Sequence, residues 1–70
     1  MTAEEARKKT VEVCEEKCFE LIKATAQNGE FHVTIWKKDV LLDKAVIMRL
    51  EMKGYKVEVD EPKGFMDISW

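Results

Sequence analysis

Seventy residues, 46% of them apolar and 37% charged, fit one folded domain and exclude a disordered chain or one embedded in a membrane. Twelve basic and fourteen acidic residues leave a net charge of −2, too little cationic excess for a protein that wraps a nucleic-acid backbone. So short a chain buries only a small core, which makes self-association an expected source of added stability.

From Thr2 to about Gln27 the chain has neither Gly nor Pro, and Thr2 followed by Glu5 has the spacing of a capping box, so a long first helix is predicted. At the helical period Val11, Cys14, Cys18, Leu21, Ile22 and Thr25 share one stripe, while Lys9, Glu12, Glu16 and Glu20 point away from it. Asn28 and Gly29 then supply residues suited to the left-handed conformation in which helices stop. Phe31, Val33 and Ile35 alternate with His32, Thr34 and Trp36, which predicts a strand over Glu30 to Lys37 with Phe31, Val33 and Ile35 inward.

Asp39 suits the cap of a second helix running from Val40 to about Lys53, closed by Gly54. Two further strands follow, Tyr55 to Val59 and Phe65 to Trp70, joined by the turn residues of Asp60-Glu61-Pro62-Lys63-Gly64. The expected fold is α+β, in the order α-β-α-β-β. It has a three-stranded mixed sheet and both helices on one face, because only then do the inward strand residues and the helix stripes share a core. The first two strands should run parallel through a crossover, and the third should pair antiparallel, either beside the second or between the other two.

Cys14 and Cys18 are too few for a secreted disulfide framework, and the opening MTAEEARKKT carries no apolar export segment, so a cytoplasmic protein is expected. Their i, i+4 spacing suits a shared metal ligand pair, but two thiolates and one distant histidine do not close a zinc shell. The simpler reading is a pair of buried thiols acting as small hydrophobes. No apolar run is long enough to span a membrane. No Gly-rich phosphate loop precedes either helix, so no cofactor is expected.

Asn28-Gly29-Glu30-Phe31 entering a strand, Leu50 shortly ahead of Gly54-Tyr55-Lys56-Val57, and the closing Ile68-Ser69-Trp70 together resemble a recurrent group of small tailed-bacteriophage proteins. The resemblance runs over roughly residues 18 to 70 and rests on structural punctuation. It implies an accessory or virion-associated protein that acts by binding inside an infected bacterium, and it carries over no catalytic residue.

Two surfaces stand out as candidates. In a helix beginning at Val40, Leu41, Ala45, Met48 and Met52 form a second apolar stripe nearly opposite Val46 and Leu50. That stripe serves either self-association and a protein partner or the packing of the first helix. Phe19 lies to one side of the cysteine stripe, as an edge packing residue or as part of the same surface. On the outward sheet face His32, Thr34 and Trp36 are joined by Lys56 and Glu58, and by either Met66, Ile68 and Trp70 or Phe65, Asp67 and Ser69. An aromatic ring beside histidine and lysine suits a small anionic ring-bearing ligand such as a nucleotide, or the same face of a second subunit.

His32 has no serine or cysteine partner evident in sequence, and no paired-carboxylate motif is present, so catalysis is not expected. The leading expectation is a non-enzymatic protein, forming a homo-oligomer, that modulates a host defence or metabolic protein by direct contact. The alternatives are an oligomeric binder of a nucleotide-like signal and a structural virion component.

Overall fold

The computed structural model describes residues 1–40 and 42–70, leaving Leu41 of the expected stripe outside the described residues. Its elements are α1 (Ala3–Gln27), β1 (His32–Trp36), α2 (Lys44–Met52), β2 (Lys56–Asp60) and β3 (Phe65–Ser69). Thr2 caps α1 as its spacing predicts, its hydroxyl accepting from the Glu5 amide at 3.1 Å. Val11, Cys14, Cys18 and Ile22 are the buried positions of α1. Leu21, expected on the same stripe, is exposed, because it turns toward the flank of α1 away from α2.

The sheet order is β1-β3-β2, and both pairings are antiparallel. The expected mixed sheet is therefore corrected. β1 and β2 do run the same way, but β3 lies between them and opposes both, so no parallel pair forms. Placing β3 in the middle lets a short hairpin pair it with β2 while the α2 crossover carries the chain from β1 to the far edge.

Both helices cover one face of this sheet. Cys14, Cys18 and Ile22 of α1, Val46 and Leu50 of α2, and Ile35, Met66 and Ile68 of the sheet belong to one core cluster, with Val33 and Val57 packed against it. Alternation within the strands accounts for the set, since Val33, Ile68 and Val57 stand in one register row and Ile35, Met66 and Val59 in the next. Phe31, expected inward, precedes β1 and is 73% exposed, because α1 has ended at Gln27 and no helix covers it.

The second helix begins four residues later than the sequence suggests. The amides of Asp39 and Val40 both donate to the Trp36 carbonyl, at 2.9 and 3.3 Å, closing a turn after β1. Val40 thus reaches the core from a turn and not from a helix. Asp43 is the cap instead, accepting from the Ala45 amide at 2.8 Å. α2 closes at Lys53 and Gly54, with Gly54 at φ 95, as its glycine predicts.

The two helices are tied together at Glu15. Its carboxylate accepts from Arg49 at 2.8 Å and lies 3.4 Å from the Lys53 ammonium. Lys53 also stands over the Phe19 ring, 4.5 Å from its centre.

Candidate functional site

On α2, Val46 and Leu50 face the core, and Arg49 and Lys53 turn to α1. Met48 and Met52 are left on the outer side, 60% and 83% exposed. They sit one turn apart, as i, i+4 residues must. Ala45 is half-buried and packs against the core, because on the helix it lies between Met48 and the Arg49 side that turns to α1. Of the expected stripe, then, the structure exposes its two methionines together.

Phe19 is half-buried, its ring 6.0 Å from that of Tyr55. Tyr55 in turn meets Trp70 edge-on at 6.1 Å. These three rings close one end of the helix-side core. Trp70 therefore does not join the outward sheet face: it shares parity with Met66 and Ile68, and its ring turns to Tyr55 on the side the helices cover.

The outward face holds three rows across β1, β3 and β2: His32, Ser69 and Lys56; Thr34, Asp67 and Glu58; Trp36, Phe65 and Asp60. Thr34 donates its hydroxyl hydrogen bond to Asp67. Lys56 pairs with Glu58 at 3.3 Å along its own strand. Trp36 is 44% exposed and meets Phe65 in an edge contact with centroids 5.1 Å apart. His32 and Trp36 occupy opposite ends of β1, about 13 Å apart at the usual strand rise, so one chain does not bring them to one ligand.

What gathers around Trp36 instead is basic. Trp36, Lys37, Lys38, Lys63 and Gly64 line one groove of about 320 Å³. Two segments far apart in sequence build it: the Lys37 amide donates to the Gly64 carbonyl at 2.9 Å, and the Lys37 chain lies so close over Gly64 that an added Cβ would fall 2.8 Å from its Cδ. Among the described residues none of these three lysines forms an ion pair, although Asp39 and Glu61 follow closely in the chain. Of the two sets the sequence offers for this face, the register selects Phe65, Asp67 and Ser69; Lys63 is the member that sequence reasoning did not single out. The signal for the first three was the strand alternation from Phe65, once β3 is known to lie next to β1.

Cys14 and Cys18 are buried thiols. Burial pushes the Cys18 thiol up to about 11, with Cys14 and the Glu15 carboxylate adding to the effect. At neutral pH it is a protonated core residue with little thiolate for attack. No helix among the described residues is long and apolar enough to cross a membrane. No family model, curated protein or solved structure matches the chain.

Proposed function

We propose that the chain works by binding and not by catalysis. In this reading it is a small accessory protein of the phage type its sequence resembles, engaging and modulating a host protein through the outer face of α2. The observation that carries the reading is the pair Met48 and Met52, 60% and 83% exposed on adjacent turns and pointing away from the core. Unbranched thioethers adapt to a partner's shape and gain from leaving water. The exposed Lys44 and Glu51 beside them supply the polar rim that such contacts carry.

The test uses wild-type and Met48→Glu protein, each first checked for folding by circular dichroism, as crosslinking baits in the same bacterial extract. A partner caught by the wild type and lost by the folded variant supports the reading. A partner that both retain, or a variant that unfolds, overturns it.

A second reading has its own observation, the groove of Trp36, Lys37, Lys38 and Lys63. An exposed indole offers a stacking face, and three ammonium groups offer charge for a phosphate. Nucleoside triphosphate titration followed by tryptophan fluorescence should give saturable quenching. Trp36→Ala should abolish it and Met48→Glu should leave it intact. No quenching in the wild type removes this reading.

A further inference from the structure

We propose that β1 is a docking edge for a second copy of this chain, two copies pairing β1 to β1 antiparallel about a two-fold axis at Thr34 to make one six-stranded sheet. The proposal is independent of the α2 reading, since it leaves Met48 and Met52 exposed on both copies.

The sheet order makes β1 and β2 its two edges, and the sequence treats them differently. β2 reads Lys-Val-Glu-Val-Asp and is followed by Pro62, the charges and proline that guard an edge against strand addition. β1 reads His-Val-Thr-Ile-Trp, with three β-branched residues and no Asp, Glu, Lys, Arg, Pro or Gly. An edge without guards, opposite one that has them, marks a strand meant to be covered.

The backbone groups for that pairing are available. Lys37 donates to Gly64 and Trp70 donates to Phe31, so by the alternation of an antiparallel ladder the odd-numbered residues of β1 bond to β3. The N–H and C=O groups of His32, Thr34 and Trp36 therefore face outward. Among the described residues, only the Trp36 carbonyl of these groups is already engaged, in the turn with Asp39 and Val40. Full overlap of two such five-residue strands sets Thr34 against Thr34 and His32 against Trp36 of the other copy. At least four ladder hydrogen bonds then form without disturbing that turn.

The neighbouring surface is also self-compatible. α2 flanks α1 on the Glu15 and Phe19 side, and the opposite flank carries Thr10, Val13, Lys17, Leu21 and Ala24 at intervals of three and four, with Lys17 the one charge among them. Lys17, Glu20 and Leu21 line a groove with Asp39 and Val40, just past the end of β1. That flank thus lies on the β1 side and would meet its own counterpart above the joined sheets. The strand ladder itself, Thr34 on Thr34 and His32 on Trp36, opposes no like charges, and a net charge of −2 per copy is a weak barrier. It also brings His32 of one copy beside Trp36 of the other, which a single chain does not do.

Light scattering over a concentration series should give twice the chain mass for the wild type. Thr34→Lys sets two ammonium groups face to face on the axis while leaving each lysine within reach of Asp67, so the monomer stays folded. It should weaken the dimer by about fivefold. Thr34→Cys should crosslink with a short bismaleimide, while Glu58→Cys on the guarded edge should not. The native cysteines are buried in the core and should not compete. A wild type that stays monomeric, a dimer indifferent to Thr34→Lys, or equal crosslinking at the two edges overturns the proposal. So does loss of the dimer in a folded Met48→Glu variant, which would assign the contact to α2.

Discussion

Glu15 is the residue on which the helix pair turns. It extends from α1 between Arg49 and Lys53 of α2. The hydrogen bond from Arg49 holds its carboxyl below the usual carboxylate range, burial works against that, and Lys53 adds to the lowering. A carboxylate depressed by folding contributes stability above its unfolded pKa, and that contribution fades as pH falls through the folded value. The Arg49 and Lys53 side chains are 43% and 57% exposed, so solvent screening keeps the contribution on the order of 1 kcal/mol. Glu15→Gln is therefore expected to lose about that much at pH 7 and to match the wild type at an acid pH below the folded value, where the carboxylate is protonated in both states. Urea unfolding at the two pH values checks this. A gap that persists unchanged in acid would mean that Gln fails by packing and not by charge.

At the scale of elements, α1 is longer than its packing requires. Its 25 residues span about 37 Å, and the molecule's longest extent is 41 Å. Every residue from Met1 to Thr10 is exposed, and burial begins at Val11. Deleting residues 1–8 removes the Thr2 cap but no core contact, and it leaves Thr10 as a capping residue ahead of Val11. Stability should change by no more than about 1 kcal/mol, read from the urea midpoint. A loss of several kcal/mol would show that the projecting turns are held by something beyond their own hydrogen bonds.

The same helix shows why some of the fold was legible in sequence and some was not. A cap, a stop and a single apolar stripe act locally, so α1 and the centre of its buried face followed from residue types, with Leu21 at the stripe's margin left exposed. The start of α2 did not. Asp39 and Asp43 both precede apolar runs, and what decides between them is a turn onto the Trp36 carbonyl that no periodicity encodes. Phe31 continued the alternation of β1 beyond the reach of the covering helix, so its parity promised a burial that α1 does not supply. The methionine pair was legible because both residues stay in helical phase wherever the helix starts. The lysine groove was not, because Lys37 and Lys63 meet only through the register of β1 on β3, a tertiary fact.

The whole molecule is one layer of two helices on one layer of sheet, and its stability rests on where those layers meet. A chain of this length is expected to have roughly 3.5–10 kcal/mol in all. Leu50 has no exposed surface, sits on the core face of α2, and its carbonyl accepts the Lys53 and Tyr55 amides that turn the chain into β2. Leu50→Ala opens a cavity where α1, α2 and the sheet converge, at a cost of about 2–5 kcal/mol. That is a large part of the total, so the variant should unfold at much lower urea and should be substantially unfolded at modest heating. Met52 lies two residues further along the same helix and is 83% exposed. Met52→Ala should shift stability by no more than about 0.5 kcal/mol. Measured side by side, the two variants separate a shared core from an available surface on one short helix. If Leu50→Ala cost as little as Met52→Ala, the two layers would not be held by a common core, and if Met52→Ala cost as much as Leu50→Ala, the outer face of α2 would already be covered.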